Sequence, residues 1–208
     1  MARYIGARGR VARRLGIPLS SVSSKESSKD PYVRRPYPPG QHGPTARPRE
    51  TPFAARLREK QRLRFLYGIL ETQCRRYFRK AQSQTGVTGD NLLRLLEQRL
   101  DSVVYRSGFA TSMRQARQLV NHGHVRVDGR TVNVASFHVK PGATIEIANG
   151  SRRIPWLAEA TQTQPAAPPY LEVEFNRWTA SLTRRPDREE IPVDLAANLV
   201  VEYYAQRS

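Results

Sequence analysis

The sequence predicts an α+β protein in which helices precede a compact unit of two helices packed on a small antiparallel sheet. Apolar residues recur every three or four positions over residues 53–78 and again over 90–120, the spacing of helices with one buried face. Over 125–127 and 144–147 apolar and polar residues alternate instead, as in half-buried strands. A basic arm without such periodicity precedes these elements.

The composition points to a polyanionic partner. Among 208 residues, 35 are lysine or arginine and 18 are acidic, which gives a net charge of +17, and 30 of the basic residues are arginine. Arginine grips phosphate oxygens with a planar fork of donors, so this bias favours structured nucleic acid over loose charge neutralisation. Of the basic residues, 22 lie in the first 100 positions with only 7 of the acidic ones, so the basic footprint is mostly N-terminal.

Other composition features exclude several classes of protein. No apolar stretch is long enough to span a membrane, and the N-terminus lacks the pattern of a secretory signal, so we expect a cytoplasmic protein. The single cysteine, Cys74, can form neither an internal disulfide nor a four-cysteine zinc site. It lies among apolar helical positions and is expected to pack in a core.

The first 49 residues form the predicted arm. Residues 1–16 hold five arginines and no acidic residue, so we expect them to repel one another and to stay mobile in isolation. These arginines are Arg3, Arg8, Arg10, Arg13 and Arg14. Four prolines then surround Gly40 and Gly43, and since proline lacks a donor and disfavours helix in the preceding residue, a stiff extended loop is predicted.

A basic amphipathic segment begins at Phe53. Its apolar stripe predicts helix, and Gly68 is expected to divide it into two. The remaining positions carry Arg58, Lys60, Arg62, Arg64, Arg75, Arg76 and Arg79. Because acidic residues are few here, contact with phosphates is favoured over an ordinary solvated helix face.

Two further helices belong to the compact unit predicted for residues 92–147. Thr88 or Asp90 can cap the first, which should end near Gly108. Leu92, Leu96, Leu100, Val103 and Val104 form its apolar stripe. Thr111 or Ser112 can cap the second helix. Its inward residues are predicted to be Met113, Ala116, Leu119 and Val120.

A tight hairpin and a linker complete the prediction. Asp128 and Gly129 separate two short strand-like segments and favour a primed turn. Residues 158–169 contain three prolines and few bulky apolar side chains, as in a linker. Beyond it, residues 171–175 alternate like a strand, and the segment NLVVEYY can be a short strand or the end of a helix.

His122 and His124 stand one residue apart where the last helix gives way to the hairpin. A zinc site needs further ligands that the spacing does not supply, and no nucleophile or carboxylate pair accompanies them for catalysis. They can simply cap the helix and fill the turn. The alternative that we favour is one contiguous RNA contact, in which arginines hold phosphates while amides and imidazoles reach 2′-hydroxyls. That contact comprises Arg114, Arg117, Gln118, Asn121, His122, His124 and Arg126.

A long stretch, LLEQRLDSVVYRSGFATSMRQARQLVNHGHVRVDGRTVNVASFHVKPG, closely resembles the small RNA-binding module called the S-four domain. Four more segments stand in the order typical of the bacterial small-subunit ribosomal protein S-four family. They are MARYIGARGRVARRLG, RRPYPPGQHG, LREKQRLRFLYG and LVVEYYAQ. The resemblance runs through nearly all of the chain and is weakest over residues 151–183.

The resemblance implies three regions. Residues 1–49 form the basic arm and the proline-rich loop. Residues 50–95 and 159–208 form a mostly helical first domain. Residues 96–158 are an inserted S-four RNA-binding domain, with two helices on a small twisted antiparallel sheet.

The resemblance also implies a structural ribosomal protein. It would bind the five-prime domain of small-subunit rRNA early in assembly, beside ribosomal proteins S-five and S-three, where mRNA enters and decoding accuracy is influenced. No enzyme activity, cofactor, small-molecule substrate or membrane is expected. Candidates for rRNA contact are Arg3, Arg8, Arg10, Arg13, Arg14, Arg34, Arg35, Tyr37, His42, Arg58, Lys60, Arg62, Arg64, Arg76, Arg114, Arg117, Gln118, Asn121, His122, His124 and Arg126. Arg47 and Arg49 are candidates for mRNA contact.

Some members of this family hold zinc with four cysteines in the N-terminal segment. The present chain has Gly9, Ala12, Lys25 and Asp30 at the matching places. We therefore expect no metal, and we expect RNA to order this segment instead.

Two alternatives remain open from the sequence. Pseudouridine synthases can carry an S-four domain ahead of a catalytic domain, but the remaining length and motifs do not supply one. A second role as an mRNA-binding translational repressor is compatible with the same basic surface.

Overall fold

The structure of the chain is a computed structural model. It describes residues 4–19, 30–45, 51–162 and 166–206. Several predictions fall outside the described residues: the RNA contacts Arg3, Arg47 and Arg49, the zinc-position residue Lys25, and part of the predicted linker, residues 163–165.

The chain divides into two units, Met1–Leu92 with Val193–Ser208, and Leu93–Pro192. The first unit is helical. It contains α1 (Arg8–Leu15), α2 (Pro31–Arg34), α3 (Pro52–Leu66), α4 (Glu71–Gln82) and the start of α5 (Thr88–Glu97). A C-terminal helix of this unit is the last element of the chain, Ala197–Ala205, called α9 below.

The local sequence explains where α3 begins and ends. The Thr51 hydroxyl accepts a hydrogen bond from the Ala54 amide at 3.2 Å, and Pro52 occupies the first turn, where its missing N–H does no harm. The helix ends at Leu66, and Gly68 follows with a φ of 59°, a left-handed conformation that suits glycine. The predicted break at Gly68 is therefore confirmed.

The core of the first unit lies where α9 packs against α3 and α4. The rings of Phe78 and Tyr204 stack with centroids 4.9 Å apart, and Leu63 on α3 is fully buried. Cys74 is also fully buried, which confirms that it packs in a core. Its burial raises the pKa of the Cys74 thiol to about 11.

The second unit packs short helices on a five-stranded antiparallel sheet of order β2-β1-β3-β5-β4. Its strands are β1 (Val125–Val127), β2 (Arg130–Thr131), β3 (Thr144–Ile147), β4 (Leu171–Glu174) and β5 (Thr179–Leu182). Its helices are the end of α5, α6 (Leu100–Arg106), α7 (Met113–Asn121) and α8 (Pro155–Gln162). The core contains the predicted inward residues Leu100, Val103, Leu119, Val125 and Ile145.

The predicted hairpin is confirmed. Val127 pairs with Arg130, so two residues form the loop. Asp128 and Gly129 both have positive φ, 48° and 78°, as a type I′ turn requires. The Asp128 carboxylate also accepts a hydrogen bond from the Thr144 amide at 2.9 Å, which ties the turn to the start of β3.

The single helix predicted over residues 88–107 is instead two helices, α5 and α6. Their junction is opened by long-range backbone pairing: Arg99 bridges His138, and the Leu100 amide donates to the Phe137 carbonyl at 2.9 Å. The Val139 amide likewise donates to the Gln98 carbonyl. These long-range bonds replace helical hydrogen bonds at residues 98–100 and break the helix there. The apolar periodicity continues across the break, so the sequence pattern did not reveal it.

The second unit extends beyond the predicted end of the inserted domain at residue 158. The described residues 159–162 and 166–192 were expected in the mostly helical first domain but belong to the second unit, because β5 pairs with β3, and β4 pairs with β5. The predicted linker over 158–169 is partly helix, since α8 continues to Gln162. The segment NLVVEYY, left between strand and helix by its sequence, is helical in α9.

The predicted α+β class is confirmed, with an antiparallel sheet in one unit and helices in both. Among the described residues, no helix is both long enough and apolar enough to cross a membrane.

Candidate nucleic-acid interface

The predicted RNA contacts that the structure describes fall into three groups. The arm cradle is a cavity of about 690 Å³ lined by Arg10, Arg13, Arg14, Arg35, Tyr37, Pro39, Gly40, Gln41 and Pro44. The α3–α4 group comprises Arg58, Lys60, Arg62, Arg64 and Arg76. The α7 face comprises Arg114, Arg117, Gln118, Asn121, His122, His124 and Arg126. The first two groups lie in the first unit and the third lies in the second unit.

Arg13 joins α1 to the proline loop in the arm cradle. Its Nε donates hydrogen bonds to the carbonyls of Arg35 and Tyr37 at 3.2 and 3.1 Å, and its Nη2 donates to the Pro38 carbonyl at 3.2 Å. The guanidinium also lies 4.8 Å from the centre of the Tyr37 ring, in cation–π range. Arg13 is therefore directed at its own chain rather than outward.

Asp30 makes a second link within the arm. Its buried carboxylate accepts hydrogen bonds from the Leu19 amide at 2.7 Å and from the Tyr32 amide at 2.9 Å, and the latter caps α2. At Gly9 an added Cβ would lie 2.9 Å from the Pro31 side chain, so α1 and α2 approach closely there. The described parts of the arm thus contact each other, and the expectation that RNA orders this segment stays a prediction.

The other arginines of the arm cradle are exposed. Arg10, Arg14 and Arg35 present their side chains to solvent, and no acidic residue is among the described residues that line the cavity. Of the remaining predicted contacts in the arm, Arg34 and His42 are exposed, and Arg8 is half-buried with its guanidinium 6.0 Å from the Phe65 ring.

In the α3–α4 group, several predicted contacts are engaged inside the protein. The Lys60 ammonium is buried, donates to Glu71 at 2.8 Å and lies 4.7 Å from the Tyr203 ring. Arg64 lies 3.2 Å from the same carboxylate, and the Tyr204 hydroxyl donates to it at 2.9 Å. Lys60 was expected at an RNA surface; this burial assigns it to the fold instead.

The electrostatics of Glu71 follow from that network. Burial alone would raise the pKa of Glu71, but hydrogen bonds from Lys60 and Tyr204 and the charges of Lys60 and Arg64 outweigh it and lower the pKa below the ordinary value of 4.5. Glu71 is therefore ionised at neutral pH and holds both cations in place.

The rest of the α3–α4 group is mixed. Arg62 donates to Glu59 at 2.6 Å, one turn away on α3, so it too is engaged within the unit. Arg58 is half-buried and Arg76 is exposed. Two exposed arginines outside the candidate set, Arg75 and Arg79, line a cavity of about 380 Å³ between α3, α4 and α9. Their four-residue spacing on one helix face was the sequence signal for them.

The α7 face lies on a helix that is held by a capped N-terminus and a buried opposite side. The Ser112 hydroxyl caps it by accepting from the Gln115 amide at 3.3 Å, and Gln115 in turn accepts from the Thr111 amide at 2.9 Å. The predicted inward residues Met113, Ala116, Leu119 and Val120 are all buried. Arg114, Gln118 and Asn121 are exposed on the other side, so the predicted amphipathic division of this helix is confirmed.

Arg117 behaves differently from its neighbours on α7. Its Nε and Nη2 donate to the Asp101 carboxylate at 3.0 and 2.7 Å, and Asp101 is fully buried. Arg99 binds the same carboxylate at 2.9 and 2.7 Å. With only 16% of its side chain exposed, Arg117 holds α7 to α6 instead of projecting from the surface as predicted.

The two histidines that end the α7 face lie close together, with ring centroids 6.0 Å apart. His122 follows the last residue of the helix and is exposed. The Nδ1 atom of His124 lies 2.8 Å from the Ser151 hydroxyl, which fixes the orientation of this ring. Among the described residues, no group of three or more His, Cys, Asp or Glu side chains is placed to hold a metal ion.

The hairpin extends the α7 face. Arg126 is half-buried on β1, where it stands opposite Glu146 of β3 in the strand register. Arg130 was not among the candidates. It is exposed on β2, where the turn pairs it with Val127 of β1. The Asp128-Gly129 pair, which fixes this turn, was the signal for its exposure.

Comparisons with known proteins match both units of this description. Residues 3–97 match the family model described as the ribosomal protein S4/S9 N-terminal domain, and residues 98–145 match the S4 domain. A small ribosomal subunit protein uS4 of Geobacillus sp. (strain WCH70) is 45% identical over 206 residues, covering 99% of this chain and 100% of its own. The uS4 protein of Rubrobacter xylanophilus is 46% identical with the same coverage, and that of Micrococcus luteus is 49% identical over 95% of each chain.

Proposed function

The chain belongs to the uS4 family of small ribosomal subunit proteins, and from this membership and the surfaces above we propose that it binds small-subunit rRNA. Its relatives are structural constituents of the ribosome, not enzymes. The pseudouridine synthase alternative is therefore set aside. The proposed RNA target of this chain is the five-prime domain of the small-subunit rRNA.

The observation that carries this proposal is the α7 face. Arg114, Gln118 and Asn121 project from a helix whose other side is buried and whose N-terminus is capped. Side chains on a fixed helix lose little freedom when they bind, and this set offers a charged fork for phosphates and amides for 2′-hydroxyls. Such a surface recognises the shape of an RNA backbone more than a base sequence.

The exposed arginines of the arm cradle add a second contact of the same kind. Arg10, Arg14 and Arg35 stand around one cavity without an acidic residue among the described lining. Together with the net charge of +17, these residues give a strong, salt-dependent attraction to rRNA. Arg13 supports the arm cradle and Arg117 supports the α7 face, since each is bonded within its own unit.

The family resemblance supports a further proposal, on the place of the protein in the ribosome. It nucleates assembly by binding rRNA early, remains in the small subunit in the cytoplasm, and lies beside ribosomal proteins S-five and S-three where mRNA enters. Arg47 and Arg49, outside the described residues, contact the incoming mRNA and contribute to decoding accuracy. A double Arg47→Glu, Arg49→Glu variant, assembled into small subunits, should slow passage through a structured mRNA; unchanged passage would remove these two residues from the mRNA path.

Filter binding tests the central proposal. The purified chain is titrated with the refolded five-prime domain of small-subunit rRNA, with an unrelated folded RNA and with the leader of its own messenger, over a range of salt concentrations. We expect preference for the rRNA domain that persists as salt rises. Equal binding to all three that collapses with salt would reject the rRNA assignment, and rivalry by the messenger leader would establish the repressor role.

A further inference from the structure

We propose that Arg13 is a positioning residue that builds the arm cradle before RNA binds, and that Arg10, Arg14 and Arg35 then hold the phosphates of one sharply bent RNA strand. This inference rests on the proposed rRNA binding and divides the arm's arginines into two roles. It assigns to the arm cradle a ligand class, a phosphodiester backbone rather than a base.

The bonds of Arg13 support the positioning role. Its guanidinium donates to three carbonyls of one short loop segment: Nε to those of Arg35 and Tyr37, and Nη2 to that of Pro38. Its planar group also lies over the Tyr37 ring. The donors on Nε and Nη2 are turned to these loop carbonyls, and the single ammonium of a lysine could not reproduce this fork.

The loop needs such a partner because of its own composition. Its prolines have no N–H, so this stretch cannot close on itself through a regular ladder of backbone hydrogen bonds, and its carbonyls need outside donors. The chain is also tightly folded there: the Gly43 amide donates to the Gly40 carbonyl at 3.1 Å, and a Cβ on Gly43 would lie 2.1 Å from the Pro38 oxygen. Before the loop, Asp30 ties the start of α2 to the segment after α1 by binding the Leu19 and Tyr32 amides.

The remaining lining determines the ligand. Arg10, Arg14 and Arg35 are exposed around a cavity of about 690 Å³, and among its described lining residues none is acidic. Three guanidinium groups crowded in this way repel one another until an anion arrives, and phosphate oxygens match their planar forks. One face of the Tyr37 ring is already covered by Arg13, which leaves less of it for stacking a base. The cavity therefore suits a bent backbone that places more than one phosphate inside it.

The test compares two conservative variants of the full chain, Arg13→Lys and Arg14→Lys, which keep the same charge. In the RNA-free protein, hydrogen exchange over residues 35–45 should become faster in Arg13→Lys and stay unchanged in Arg14→Lys. Arg13→Lys should also weaken binding to the five-prime domain of rRNA at least several-fold. Arg14→Ala should lower the slope of log affinity against log salt by about 0.7 to 0.9, the loss of one phosphate contact.

The outcomes separate the positioning role of Arg13 from the proposed rRNA binding. Unchanged exchange in Arg13→Lys would overturn the positioning role. Faster exchange in Arg13→Lys together with no specific rRNA binding by the unaltered chain would contradict the proposed function and leave the positioning role standing. Inorganic tripolyphosphate and polyglutamate serve as competitor probes for the rRNA: competition by tripolyphosphate that is lost in Arg14→Ala supports a phosphate site. Equal competition by polyglutamate would overturn that assignment in favour of an acidic protein ligand.

Discussion

At the scale of single residues, arginines in this protein do two different jobs. Arg99 and Arg117 both bind the fully buried Asp101 carboxylate, and the bond from Arg117 holds α7 to α6. Arg114 lies on the same helix as Arg117 but projects into solvent. Composition predicts an RNA-binding protein, but it cannot tell these two jobs apart, because the acidic partner Asp101 lies 16 residues from Arg117 in the sequence.

Alanine at positions 114 and 117 separates the two roles. Arg114→Ala should lower the salt slope of rRNA binding by about 0.7 to 0.9 and leave stability unchanged, because it removes one exposed phosphate contact. Arg117→Ala should instead destabilise the second unit by about 1.5 to 3 kcal/mol, because a buried charge loses hydrogen bonds. Urea unfolding followed by the fluorescence of Trp156 and Trp178, both in the second unit, measures the stability. Equal effects of both changes on stability would refute the division.

The lowered pKa of Glu71 predicts how acid affects the first unit. Because the pKa in the folded chain lies below the ordinary 4.5, the stabilisation is fully present above pH 4.5 and is lost as the pH falls through the folded value. Glu71→Gln should therefore be less stable than the unaltered chain at neutral pH, and the gap should narrow in acid. The loss of helical circular dichroism in urea, followed for both chains at each pH, measures the stability. A gap that stays constant with pH would contradict the linkage.

At the scale of elements, the sequence predicts those helix faces, caps and turns that depend only on neighbouring residues. The inward residues of α7, its Ser112 cap and the type I′ hairpin all follow from short stretches and are confirmed. The break between α5 and α6 does not, because it depends on pairing of Arg99 with His138, 39 residues away. For the same reason, the alternation in β4 predicts a strand but not its place in the sheet beyond β5.

The core beneath these elements predicts the effect of truncating Leu100. This side chain is fully buried at the start of α6, so Leu100→Ala should destabilise the second unit by about 2 to 5 kcal/mol. Val134→Ala in the same unit is the matched control, since Val134 is 44% exposed and should change stability little. Tryptophan fluorescence during urea unfolding measures both. Similar small effects from the two changes would mean that Leu100 is not packed as described.

At the scale of the whole molecule, each unit carries a basic surface that we propose binds RNA, and other polar side chains bonded within the same unit support it. In the first unit, Arg13 and Asp30 organise the arm around the exposed arginines of the arm cradle. In the second, the Asp101 network holds the helix that bears the α7 face. Family membership could be recognised from the sequence because its motifs are long and ordered. Which charges are exposed and which are bonded inside the protein required the fold, since the partners of the bonded charges are distant in sequence.

Hydroxyl-radical footprinting of the rRNA five-prime domain with the full chain tests the central claim most directly, because it reports contacts along the RNA backbone. We predict strong protection confined to backbone segments around one junction of helices, with separate parts of the footprint lost in Arg114→Ala and in Arg14→Ala. Weak protection spread over the whole domain, unchanged by either variant and reproduced on an unrelated folded RNA, would contradict a specific rRNA-binding protein.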